Sequence, residues 1–313
     1  MSNSRLKKLL YDWHIYIVLV IFWIASSFAS PFFRTIDTFS TILVSAVPIA
    51  LVGFGQTFVV LSRGFDLSVG AVASLATVIA SVSMQWGIGP AILLILISAF
   101  LVGALNGLGV SKLNIDPFIM TLGMMFFLTG VNFLIRSSPG GFIPSHYKKA
   151  VLYQVASFPL VPFLILLFSA VVGILVLQKR KFGREIYAVG GNPQSAKMSG
   201  INVDFVRIKV FIVSALSASL AGLFIAARIG SGNAEAGAPY LFDSFIVVFM
   251  GGTLVTGGVG SYRGTIASAL IIASIGQILQ FLGITIWYHF IVKGFLLAGV
   301  AGIQLFIVGR GRA

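Results

Sequence analysis

Arg63 and Asp66 stand three residues apart in LSRGFDLSVG (61–70), beside Gly64 and Gly70. On a helix that spacing puts both side chains on one face as an ion pair. Beside glycines it also suits a membrane-edge hinge or gate, or a turn in which Asp66 caps the helix that follows Ser68. A second segment, GGTLVTGGVGSYRGT (251–265), carries six glycines in fifteen residues, among them Gly257, Gly258 and Gly260. An uninterrupted lipid-facing helix has no use for that content. It reads as a discontinuous helix or re-entrant turn buried in protein, or as a glycine face where two helices touch. The third segment is FGREIYAVGGNPQSAKMSGINVDFVRI (182–208). Asn192 suits an N-cap, Pro193 the first helical position and Gly200 the position past the end, so a short helix over 193–199 is specified at both ends. A helix of that length is not stable alone. With Ala196 and Met198 among its few apolar side chains, it reads as a docking element for a groove on a partner, or else as a solvated connector.

Catalytic chemistry is harder to find. The sequence has no cysteine, so disulfides, thiolate nucleophiles and cysteine-ligated metals are excluded. His14, His146 and His289 lie in separate segments and make no metal-ligand cluster. No G-x-x-x-x-G-K-[ST] loop occurs, so the chain does not hydrolyse a nucleotide by itself. IGSGNAEAG (229–237) lacks the last glycine of a dinucleotide fingerprint and has no strand before it. What remains is a scatter of polar residues inside apolar runs: Gln56, Thr57, Asn106, Thr121, Asn132, Gln277 and Gln280, with Asp243 near the edge of one run. Most such residues hydrogen-bond helix to helix. Gln56, Asn106, Thr121, Asn132 and Asp243 are nevertheless candidates for lining a path for a neutral, hydroxyl-rich solute.

The elements that must position these residues are membrane helices. Of the 313 residues, 58% are hydrophobic and 9% charged, against about 25% charged in soluble domains. Ten apolar runs are long enough to cross a bilayer: about 14–33, 39–61, 67–84, 90–110, 117–136, 158–178, 208–227, 242–256, 264–283 and 286–308. The first resembles a secretory signal but continues through Phe33, and is expected to stay as a helix. The net charge of +13 is an orientation signal and not a mark of nucleic-acid binding. With the amino terminus inside, fifteen Lys and Arg fall on the cytoplasmic side and five on the other, with Lys293 inside the last run. The cytoplasmic set is Arg5, Lys7, Lys8, Arg63, Lys112, Lys179, Arg180, Lys181, Arg184, Lys197, Arg207, Lys209, Arg263, Arg310 and Arg312. Both termini are therefore expected in the cytoplasm. The loops hold no soluble domain, and the longest hydrophilic stretch is 179–209. The expectation is one all-α polytopic domain over 1–313, with some helices discontinuous and a cytoplasmic coupling loop at 179–209.

TFVVLSRGFDLSVGAVASL (57–75), GREIYAVGGNPQSAKMSGINV (183–203), GGTLVTGGVGSYRGT and IVKG (291–294) together resemble the permease subunits of ribose-type ATP-binding-cassette importers, within the branched-chain amino acid and ribose-like permease group. The resemblance covers nearly the whole chain. Two departures, Arg63 where the family usually has a small residue and Phe65 where it has isoleucine, sit at the hinge segment. The resemblance implies a bacterial inner-membrane permease, not an enzyme, that moves a small neutral solute such as ribose by alternating access. Its implied partners are a second permease copy or paralogue, a periplasmic or extracellular solute-binding protein, and cytoplasmic ATPase subunits that bind the ATP and Mg. It also implies that Gly191, Asn192, Pro193, Ser195, Ala196, Met198, Ser199 and Gly200 couple to the ATPase. The alternative is an ion-coupled secondary transporter, for which span-centre carboxylates are scarce.

Overall fold

The computed structural model describes residues 2–310, except for the side chains of residues 2–14, 286, 305 and 307–310. The side chains of Arg5, Lys7, Lys8, His14 and Arg310, and the whole of Arg312, thus lie outside the described residues. Among the described residues, thirteen α-helices follow one another with no named strand. They are α1 (Ser2–Ala29), α2 (Ile36–Leu61), α3 (Val69–Ser83), α4 (Ile88–Ser111), α5 (Pro117–Ile135), α6 (Ser145–Val151), α7 (Leu160–Lys179), α8 (Lys181–Gly191), α9 (Pro193–Met198), α10 (Val203–Ile229), α11 (Ala238–Met250), α12 (Tyr262–Phe281) and α13 (Ile286–Arg310).

Each expected crossing has a helix, and seven among the described residues are long and apolar enough to span a membrane: α2, α3 with its short extension to Trp86, α4, α5, α7, α10 and α12. One is shorter than expected: α11 stops at Met250, because Gly252, Gly257, Gly258 and Gly260 take positive φ angles that no right-handed helix uses.

α10 runs through the centre, packed against α2, α3 and α4. Lipid offers no hydrophobic drive for helix association, so close van der Waals approach has to supply it. On α4, Gly103 and Gly107 are four residues apart, and a Cβ on either would lie 2.6 Å from the Cα of Ile212 or Ile208 on α10. The outward faces of α5 and α7 carry Phe126, Phe127, Leu134 and Phe168, all exposed and suited to lipid.

Helix ends collect at two poles. At one, Lys112 on α4 pairs with Asp204 on α10 at 2.9 Å, and Arg263 on α12 donates to Gln178 on α7 at 3.0 Å. At the other, Arg136 donates to Ser81 at 2.9 Å and Gly140 pairs with Gly232. There Tyr147 of α6 donates to the carbonyl of Leu223 at 3.1 Å, and burial pushes its phenol up to about 12. Lys112 and Arg263, assigned by sequence to one side, are thus found at one pole, and Arg136, assigned to the other side, at the other.

Candidate functional site

The three irregular segments, far apart in sequence, meet at the first pole. α2 ends at Leu61, and Arg63 follows with φ +64°, a left-handed conformation uncommon for a residue with a Cβ. That turn swings the guanidinium onto the end of α8. Nε donates to the carbonyl of Gly190 at 2.6 Å, and Nη2 donates to that of Gly191. A cation fits there because the last carbonyls of a helix lack partners and carry partial negative charge. The 251–261 segment closes the junction: the Gly258 N–H donates to the carbonyl of Leu61 at 3.0 Å. Gly258 has φ +75°, and a Cβ on Gly190 would lie 1.8 Å from the Leu61 oxygen, so neither position accepts a side chain unchanged. Tyr187 of α8 donates to the carbonyl of Gly260 at 2.8 Å, and burial raises its pKa above the ordinary 10.0. The phenol therefore remains a donor up to and beyond its ordinary value, and the contact fails only at higher pH.

Directly after α8 comes α9. Asn192 Oδ1 accepts from the N–H groups of Gln194 and Ser195 at 2.9 and 3.0 Å, Pro193 opens the helix, Ser199 closes it, and Gly200 turns away at φ +80°. The predicted helix is present, one residue shorter than expected. Its two apolar side chains part company. Ala196 is buried against the chain itself, in one cluster with Ile186, Val189 and Val206, while Met198 is 87% exposed. Met198, with the exposed Ser195 and Ser199, makes the outward surface of α9.

Of the alternatives for this segment, the helical one that would pair Arg63 with Asp66 does not form, because the segment is a turn and Arg63 reaches α8 instead. Asp66 points inward and is fully buried. Its Oδ1 accepts from the N–H and hydroxyl of Ser68 at 2.9 and 2.6 Å, and its Oδ2 accepts from Ser214 of α10 at 2.7 Å. The turn it makes at Ser68 leads into α3, whose Gly70 packs against the carbonyl of Gly237. Three of the path candidates brace this segment. Asn106 donates to Ser68 at 3.0 Å; Thr121 donates to the carbonyl of Phe65 and accepts from the Leu67 N–H, both at 3.1 Å; Asn132 donates to the carbonyl of Ala71 at 3.1 Å. Gln56 is buried with neither amide atom hydrogen-bonded among the described residues.

Three features escaped the sequence reading. The freed backbone after α11 is satisfied from α13: Gln304 donates to the carbonyls of Phe249 and Thr253 at 2.7 and 3.2 Å and accepts from the Val255 N–H at 3.3 Å. Asp243 on α11 meets Lys293 on α13 at 2.7 Å. The signal for this pair was present, since two unlike charges inside apolar runs must find one another. α8 was also missed, although Phe182, Ile186 and Val189 follow helical spacing on its buried side.

The family model described as "Branched-chain amino acid transport system / permease component" matches residues 38–301. The chain belongs to this family. Its relatives among characterised permeases include the ribose import permease protein RbsC of Haemophilus influenzae, 33% identical over 303 residues, covering 95% of this permease and 94% of the relative. The galactose/methyl galactoside import permease protein MglC of Escherichia coli is 30% identical over 302 residues, covering 90% of each. The D-allose transport system permease protein AlsC of Escherichia coli is 32% identical over 298 residues, covering 93% of this permease and 90% of the relative. No solved structure matches the chain. It is a multi-pass membrane permease and not an enzyme.

Proposed function

We propose that this permease is the membrane-spanning subunit of a binding-protein-dependent sugar importer of the bacterial inner membrane. Cytoplasmic ATPase subunits, which hold the ATP and Mg, drive it; a solute-binding protein delivers the sugar, and a second permease copy or paralogue completes the membrane part. Ribose is the first solute to test, followed by galactose and allose, the sugars named for its relatives. The excess of basic residues at the α8–α9 pole supports a cytoplasmic location for that pole and for both termini.

The observation that carries the mechanism is the fork from Arg63 to the two carbonyls preceding Asn192. A push on α9 from the ATPase reaches α2 and α3 through Arg63, and the 251–261 segment through Gly190 and Tyr187. In alternating access, closing of the ATPase dimer moves α9, and the three irregular segments, joined to it, shift against α10. Reconstitution with the ATPase and binding protein tests this: Met198→Glu should abolish sugar-stimulated ATP hydrolysis while leaving the protein folded. Full stimulation in that variant rejects α9 as the coupling helix.

A second reading has one observation in its favour. Asp66 is buried and forms no ion pair among the described residues, as a proton or sodium site would require. Uptake by proteoliposomes holding this chain alone, under a proton or sodium gradient and without nucleotide, would establish it in place of the importer.

A further inference from the structure

We infer that a polar cavity near the second pole is a way-station for the transported solute, built for a small, uncharged, hydroxyl-rich molecule; this rests on the import reading above. The cavity measures about 290 Å³ and lies among α2, the end of α10, and the facing parts of α11, α12 and α13. That is the lower end of the range of about 300–1,000 Å³ typical of small-molecule sites. Another cavity, about 590 Å³ between α2, α7 and α10, is walled almost wholly by apolar side chains and offers such a solute few polar partners.

The smaller cavity is lined by groups that an apolar core has no reason to hold. Asp243, 2% exposed, and Lys293 form one wall as the 2.7 Å pair. Arg228 enters from α10 and donates to Ser45 of α2 at 3.1 Å. Gln277 and Gln280 lie one turn apart on α12, and neither makes a side-chain hydrogen bond among the described residues. The walls thus offer fixed donors in Lys293 and Arg228, a fixed acceptor in Asp243, and two amides that do both. A hydroxyl also donates and accepts, so a polyol satisfies this set. A cation meets two positive side chains against one negative, and an apolar ligand offers the amides of Gln277 and Gln280 no partner.

Gly276 supplies the handle. It lines the cavity from α12, and a Cβ added there meets nothing within 4 Å. A larger side chain at this position fills the cavity without displacing the helices. Because the chain has no cysteine, Gly276→Cys introduces a single thiol. The experiment uses cells expressing the permease with its ATPase and binding protein, with D-ribose, D-galactose and D-allose as probes and a membrane-impermeant methanethiosulfonate as the label. Labelling is expected to lower uptake by the Gly276→Cys permease at least roughly tenfold, to leave the unsubstituted permease unchanged, and to be slowed several-fold by saturating sugar. Gly276→Trp should lose uptake but keep ATP hydrolysis stimulated by the loaded binding protein, which separates a blocked path from a misfolded chain. A thiol that does not label, or that labels without loss of uptake, overturns the way-station. Failure of the unsubstituted permease to take up any of the three sugars overturns the import reading instead, and is measured before any substitution is made.

Discussion

Arg63 combines a left-handed backbone with a bridging task between α2 and α8, and the two are linked. Only by turning at φ +64° does the chain leave α2 with its guanidinium against the end of α8. The strain, of order 1–3 kcal/mol for such a residue, is offset by hydrogen bonds from a charged group, each contributing about 1.5–3 kcal/mol. Arg63→Ala should therefore lower the thermal unfolding temperature in detergent and weaken coupling of ATP hydrolysis to uptake. Arg63→Lys should recover only part of each, because an ammonium group lacks the planar fork that reaches both carbonyls. The Asp243–Lys293 pair follows a different rule. Removing one partner leaves a buried charge, a loss of about 3–5 kcal/mol, whereas replacing both by apolar residues of similar size is close to neutral. Thermal melting should show Lys293→Met as severely destabilised and the Asp243→Leu, Lys293→Met double variant as largely restored. Equal damage in the two would mean that the pair has no bearing on stability beyond shape.

At the scale of elements, α9 and the 251–261 segment solve opposite problems. α9 is too short to stand alone and is held by its caps and by the burial of Ala196. Ala196→Glu should unfold this corner, with faster proteolysis at the α8–α10 connection, while Met198→Glu should leave proteolysis unchanged. The 251–261 segment is long enough but lacks regular helical hydrogen bonds, and Gln304 serves its Thr253 carbonyl and Val255 N–H together with the Phe249 carbonyl at the end of α11. Gln304→Leu should cost about 1–3 kcal/mol for each group left unsatisfied, read as an earlier melting transition.

These two elements also mark what the sequence made legible. Capping chemistry is local, so Asn192, Pro193 and Gly200 predicted α9 to within one residue. Partners across the fold are not local. Nothing near Arg63 in sequence announces Gly190 and Gly191, and helical spacing pointed to Asp66 instead. Three breaks were visible as breaks, but that they form one junction depends on how α2, α8 and α12 pack. The exposure of Met198 and the burial of Ala196 were likewise open until α10 was in place beside them.

For the whole molecule, charge and shape agree. Arg63, Lys112 and Arg263, all assigned to one side by charge, lie at the pole that carries α8 and α9, whereas Arg136 and Arg228 lie at the other. A fluorescent protein fused after Ala313 should therefore fold and emit in the cytoplasm, and alkaline phosphatase fused at the same point should be inactive; the reverse pattern would invert the whole assignment. Stability and movement divide along the same axis. The two poles are joined through α10, whose glycine-lined contacts with α4 leave little room for sliding.

The shortness of α11 sets where this membrane protein is stiff and where it yields. Thirteen residues of helix reach about 20 Å, roughly two-thirds of a hydrocarbon core of about 30 Å. The remaining third on that side is crossed by glycine-rich backbone held by a few irregular turns of its own and by single bonds to Leu61, Tyr187 and Gln304. A helix transmits a displacement along its axis almost undiminished, whereas such a segment bends under it. Compliance is thus concentrated in one leaflet, at the depth where α8 and Arg63 engage, and the opposite leaflet moves as a rigid frame.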